Sequence, residues 1–350
     1  MSEKFKYGVL VEKGKAEVHE EVLREVGDDE VLVKQDACNI CTTDYTQWLG
    51  LREHQGYPMA GGHEGNGIVI KKGKNVKEFE LGDRVAAIYD HCGKCEYCKK
   101  GEINLCTETK KLMAFKGGTA FFGFADYAVR NTVELVKLRQ DINPSAGGFV
   151  EPLATVVCAQ KKLKHQLGDI VVVIGAGTMG ILNAMVARLY GSKVYISELL
   201  DKKIEKAREL GFEVIDAKET DPVEFVKEVT NGKKADTIIM AVGATGANAQ
   251  ALEMIKDRDG QILYFSAGYP KPELNIDSND LHYRRLDLIG AYAAEMEDFY
   301  MSAKLLNTGL IDTEPLVEAK YLQKDIQAAF EHASKEGMYR VSLIMNEELM

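Results

Sequence analysis

Through about residue 150, apolar positions come in short runs broken by glycine, aspartate and charged turns: "KYGVLV", "EVLVKQDA", "GNGIVIKKG" and "GDRVAAIY". Runs of that length between turn formers predict strands. Helical periodicity is scarce, so the pattern predicts a mostly β first region. The character changes at "HQLGDIVVVIGAGTMGILNAMVARLYGSKVYISELLDKKIEKARELG". An apolar strand leads through a glycine turn into an apolar helix. A second strand then leads into an amphipathic helix. This is a βαβ unit whose sheet is covered on both faces. The alternation continues through "KADTIIMAVGA" and "GQILYFSAG". After about residue 290, "IQAAFEHASKEG" predicts a helix and "YRVSLIM" a closing strand, but the pattern assigns this tail to neither region. The fold class is α/β, with a β-rich region and a doubly wound parallel sheet.

Composition adds bounds. At roughly 150 residues per domain, 350 residues predict two domains. A hydrophobic fraction of 45% is enough for each to bury a core. The formal charge of -10 suits neither a nucleic-acid backbone nor an anionic membrane, since both need a basic face. The opening "MSEKFKYGVL" lacks the apolar stretch of a signal peptide, and no run approaches the roughly 18 residues of a membrane helix. Seven cysteines, four of them between 92 and 106, read as metal binding in a reducing compartment. A cytoplasmic protein is expected.

Gly175, Gly177 and Gly180 form G-x-G-x-x-G between a strand and a helix, with Thr178 and Met179 inside the motif. In that context it predicts a dinucleotide site, the pyrophosphate lying at the helix N-terminus. Glu198 ends the next strand. An acid there can accept hydrogen bonds from the ribose hydroxyls and repel a 2′-phosphate, which favours NAD. Lys202 and Lys203 follow closely, and either could reach a phosphate.

Cys92, Cys95, Cys98 and Cys106 have the spacing C-x2-C-x2-C-x7-C. Four thiolates at such spacing can surround zinc and leave no open position, so a structural ion is expected. Lys94, Lys99 and Lys100 decorate this lobe, but Tyr97 alone is no stacking platform for nucleic acid. "CNIC" at 38–41 is not needed to complete that set. Cys41, His63 and a carboxylate from Glu64 or Glu151 form a second, mixed set of the kind a catalytic zinc uses.

The ordered series "CTTD" at 41–44, "GHE" at 62–64, the cysteine lobe, "EPLA" at 151–154 and "GAGTMG" at 175–180 resembles the zinc-dependent medium-chain alcohol and polyol dehydrogenases. The resemblance covers essentially the whole chain. Glu151 in "EPLA" resembles the sorbitol and threonine dehydrogenase branch, and Trp48 the position of a Trp in sorbitol dehydrogenases. The resemblance implies a GroES-like catalytic domain over 1–153, a Rossmann domain over 154–293, and a return of 294–350 to the first. It implies Cys41 and His63 as zinc ligands, with Glu64 and Glu151 supplying a third directly or through water. Thr43 would relay the alcohol proton, and Asp44 would orient His63. A small-molecule alcohol substrate and a homo-oligomer, dimer or tetramer, are also implied.

The chain departs from the family in two places. Thr46 stands where many members carry a relay histidine, with His54 nearby in sequence. Ala293 and Ala294 stand where sorbitol dehydrogenases tend to carry Arg-Tyr, so the substrate could be another sugar alcohol, a polyol phosphate, a sugar acid, an inositol derivative or an amino alcohol. Arg284 and Arg285 hint at an anionic substrate but read better as a solvated pair. Competing readings are a dismutating or epimerase-like enzyme and a non-catalytic NAD-binding redox sensor. A sensor has no need of an open metal site.

Overall fold

One long strand, Glu30–Ile40, organises the β-rich unit in this computed structural model, which describes residues 4–268 and 270–350. The strand is buried over most of its length, as expected where both faces are covered. It pairs antiparallel with Glu64–Lys72 along one edge. Along the other edge it takes Tyr127–Asn131 near its start and Arg340–Ile344 near its end. Ser342 lies opposite Asn39, and Asn39 opposite Glu64, so three strands from distant parts of the chain meet in one row. A second sheet is built on the hairpin of Lys4–Glu12 with Lys15–Val22.

The core of this unit gathers Leu10, Cys38, Ile40, Trp48, Met59, Phe124, Phe330, Val341 and Leu343. Helix Ile326–Ala333 buries Ile326, Ala329, Phe330 and Ala333, the spacing of one helical face. Cys38 is an apolar filler in that core. Trp48 also belongs there, 9% exposed and against Phe330.

The second unit holds six parallel strands in the order Glu213–Asp216, Lys193–Glu198, Ile170–Ile174, Thr237–Met240, Gln261–Tyr264, Asp287–Gly290. "IVVVI" and "TIIM" supply the β-branched runs that suit a sheet covered on both sides. The strand order reverses beside Ile170–Ile174, and open α/β sheets bind ligands at the carboxyl ends of the strands at such a point. The glycine turn leaves Ile170–Ile174 there.

The chain divides into Met1–Ala154 with Ala294–Met350, and Thr155–Ala293. The tail that the pattern left unassigned is thus part of the β-rich unit. Among the described residues, no helix is long and apolar enough to cross a membrane.

Candidate metal centres and cofactor turn

Gly175 leaves its strand at φ +104, and a Cβ there would lie 2.5 Å from Val242 Cγ1. A Cβ on Gly180 would lie 1.9 Å from the Gly175 carbonyl oxygen, so only glycine lets helix Thr178–Leu189 approach the strand this closely. Gly177 is the N-cap of that helix, and Thr178 and Met179 open its first turn. Lys203 Nζ stands 3.6 Å from where a Gly177 Cβ would be, placing a cation at the turn. Glu198 has a more local occupation than its position in the sequence implies. One oxygen accepts from the Ala176 N–H at 2.7 Å, and the other from Leu199 and Leu200 at 2.7 and 3.0 Å. In this structure the carboxylate ties the second strand to the glycine turn.

The four-cysteine lobe is folded around its sulfurs. Cys95 caps the short helix Glu96–Lys100 by accepting from the Cys98 N–H, and Gly101 ends the helix at φ +86. The Cys92 and Cys95 N–H groups point at Cys106 Sγ and Cys92 Sγ, each at 3.3 Å. Cys98 Sγ lies 3.4 Å from Cys95 Sγ and 3.9 Å from Cys92 Sγ. Zinc–sulfur bonds of 2.3 Å in a tetrahedron set sulfurs roughly 3.8 Å apart, so the donor set fits. The Cys98 N–H holds the Cys95 thiol down to about 6, while burial pushes Cys98 up to about 12. Lys100 is paired with Glu96, which further weakens any basic face.

The second cluster is assembled from separate elements. Cys41 follows the central strand and caps helix Thr42–Trp48. Gly62, at φ +84, lets the chain turn tightly before His63, where a Cβ would meet the Phe124 nitrogen at 2.8 Å. Cys41 Sγ then lies 3.2 Å from His63 Nε2. Donor atoms of Cys41, Asp44 and His63 lie within 4.8 Å of one another, as do those of His63, Glu64 and Glu151.

Asp44 is expected from the sequence to orient His63. It is fully buried, but its oxygens accept from the N–H groups of Cys41 at 3.1 Å and Gly62 at 3.2 Å. It fixes the backbone beside both donors instead, and His63 Nδ1 has no partner among the described residues. Burial alone would depress the His63 imidazole, but the adjacent Cys41 and Asp44 hold it well above its usual range. Burial and Asp44 in turn push the Cys41 thiol up.

The two glutamates differ. Both Glu64 oxygens are taken by Arg340, with Nε 2.8 Å from Oε2 and Nη2 2.7 Å from Oε1. The pair is buried, at 1% and 7% exposure. Burial lifts the Glu64 carboxyl to about 7 against the pull of Arg340. Glu151, in the first turn of helix Val150–Gln160, accepts from Tyr89 Oη at 2.8 Å through Oε1.

Thr46 turns its hydroxyl back onto its own helix, donating to the Thr42 carbonyl at 2.6 Å, and so offers no outward relay. Arg52 Nη1 lies 3.5 Å from Thr43 Oγ1, and its Nε donates to His54 Nδ1 at 3.2 Å. His54, near Thr43 in sequence, is thus linked to it through a guanidinium. Arg285 pairs with Asp259 at 2.5 Å, and Arg284 donates to the Asp257 and Leu252 carbonyls. The arginine pair is a structural and solvated one.

Residues 27–140 match the alcohol dehydrogenase GroES-like domain, and 178–308 match the zinc-binding dehydrogenase domain. A sorbitol dehydrogenase of Halalkalibacterium halodurans is 31% identical over 89% of this chain and 90% of its own length. An L-threonine 3-dehydrogenase of Pyrococcus abyssi is 32% identical over 92% and 93%. The chain belongs to the zinc-binding alcohol dehydrogenase family. A solved zinc-binding dehydrogenase of Sinorhizobium meliloti 1021, bound to NADP, superposes with a TM-score of 0.87 at 25% identity, covering 98% of this chain and 99% of that one.

For a zinc-binding dehydrogenase the second cluster is a fitting centre. Tetrahedral zinc sets a sulfur and a nitrogen donor roughly 3.6 Å apart, and the Cys41–His63 pair is already near that spacing. Glu64 fits less well as a direct donor, because Arg340 occupies both its oxygens. Three residues of this dehydrogenase escaped the sequence reading. Arg340 had a signal, a lone charge opening an otherwise apolar strand in "YRVSLIM". Tyr89 and Arg52 had none.

Proposed function

We propose that this dehydrogenase oxidises a secondary alcohol of a polyol, sugar acid or related small molecule with NAD. Cys41, His63 and Glu151 hold a catalytic zinc, and Cys92, Cys95, Cys98 and Cys106 a structural one. The observation that carries this reading is the 3.2 Å approach of Cys41 Sγ to His63 Nε2, with Glu151 in the second set that His63 shares with Glu64. Zinc held there would supply Lewis acidity toward an alcohol oxygen, and bound nicotinamide would supply the hydride acceptor.

The remaining work falls to this chain's residues. Thr43, two residues after the donor cysteine, accepts the alcohol proton at Oγ1 as it passes its own hydroxyl proton to solvent. The neighbouring Arg52 guanidinium donates to that oxygen and fixes its orientation. Asp44 fixes the peptide groups on either side of the site. Tyr89 orients Glu151. The Phe121 ring, 5.3 Å from His63, limits water on that side. Arg340 fixes the position of the Glu64 carboxyl through both its oxygens. Net, a secondary carbinol becomes a ketone, with one hydride passed to NAD and one proton released.

Glu198 supports NAD over NADP, because its charge closes the second strand where a 2′-phosphate would lie. The sorbitol and threonine named for the two relatives share a secondary carbinol. Zinc-replete protein is expected to reduce NAD with members of a panel of polyols, polyol phosphates, aldonic acids and threonine. Failure with every member, using NAD or NADP, would contradict the proposal.

A further inference from the structure

Two guanidiniums stand beside the open site, and they differ in what surrounds them. Arg340 is buried against Glu64. Arg52 is half-exposed, and no carboxylate pairs with it among the described residues. Its Nε is used on His54 Nδ1, and its Nη1 lies at Thr43 Oγ1. To accept from Arg52, His54 must be neutral at Nδ1, so it positions the guanidinium without cancelling its charge. Burial and the Arg52 charge both hold the His54 pKa down, which keeps it in that form. The second terminal nitrogen, Nη2, has no protein partner among the described residues.

The distances limit what such a cation can serve. A substrate oxygen bonded to Thr43 Oγ1 at about 2.8 Å is within roughly 6 Å of Arg52 Nη1. A group held by the guanidinium is then only a few bonds from the carbon being oxidised. A guanidinium with Nη2 unpartnered among the described residues can donate to an oxygen of a carboxylate or phosphate, with its charge assisting. In a chain of formal charge -10, such an anion needs a local cation to be retained. Arg284 and Arg285 do not provide it, being committed to Asp259 and backbone carbonyls.

We propose that Arg52 binds an oxyanion of the substrate, so that the alcohol oxidised is a hydroxy acid or a polyol phosphate in preference to a neutral polyol. This rests on the dehydrogenase reading above. The test uses the zinc-loaded full chain with matched sets: a neutral polyol, its phosphate and its aldonate. In turnover, Arg52→Gln is expected to lower the anionic-to-neutral ratio of kcat/KM by about 10- to 100-fold, the range for a charged hydrogen bond. Arg52→Lys is expected to recover part of that ratio. Whichever of phosphate and aldonate loses more identifies the anion.

A second readout is calorimetric binding of the same compounds without NAD. Loss of anion binding in Arg52→Gln supports the site even if no compound is turned over, in which case the dehydrogenase reading fails separately. Turnover of neutral polyols with no anionic preference in the native protein overturns the proposal. So does an equal fall for both members of each pair, or a loss confined to NAD affinity.

Discussion

The two metal clusters bring four or fewer donors together by different means. The cysteine lobe takes all its sulfurs from one continuous stretch, 92–106, and shapes them with its own N–H groups and the short helix Glu96–Lys100. On the other side, Cys41 comes from the end of the central strand and His63 from a glycine turn, and His63 also belongs to a set with Glu64 and with Glu151 from a helix start. Behind it, the register of a strand near the C-terminus delivers Arg340 to Glu64. A local cluster closes on itself and serves stability. A cluster assembled across the sheet depends on the whole unit.

The comparison is broken most severely from the open side. His63→Ala is expected to lower kcat by at least about a thousandfold, roughly 4 kcal/mol, while the lobe keeps its metal. Activity within tenfold of the native protein would separate His63 from the chemistry.

Arg340→Met leaves the Glu64 carboxylate buried without its partner, at an expected cost of about 3–5 kcal/mol in denaturant unfolding. A loss below about 1 kcal/mol would mean that water reaches the pair.

Cys95→Ser opens the lobe. It is expected to lose the structural zinc and on the order of 3 kcal/mol of stability, with residual turnover in the protein that stays folded. Abolished turnover in a fully stable variant would erase the distinction between the clusters.

Glu198→Ala has the smallest expected effect. NAD should bind about tenfold more weakly and the preference over NADP should shrink, as read by fluorescence titration with each cofactor. Because Glu198 also holds the Ala176 N–H, NADP should weaken too if its role is only to tie the turn.

Much of this architecture is legible along the chain, because short-range rules govern it. "DIVVVIGAGTMG" specifies strand, turn and helix by itself, and the steric demands at Gly175 and Gly180 are met only by glycine. The lobe is legible for the same reason, its donors being neighbours in sequence. Cys41, His63 and Glu151 could be grouped only through the ordered motifs of a family, since no local rule joins a strand end to a later turn and a helix. Arg340 stayed hidden because its role depends on how the closing strand registers on Glu30–Ile40. Asp44 was read as a partner of His63, but the capping geometry of helix Thr42–Trp48 directs it to the Cys41 and Gly62 N–H groups. Thr46 looked like a gap in a relay, and Arg52 with His54 fills the neighbouring space only once the loop is folded.

The most direct measurement of the account is zinc content and NAD-coupled turnover on the same preparations of native protein and Cys41→Ala. The account predicts two zinc ions per native chain, and one in a folded Cys41→Ala variant without turnover. Two ions retained in the variant, or turnover retained with one, would contradict the assignment of Cys41, His63 and Glu151 as the catalytic centre.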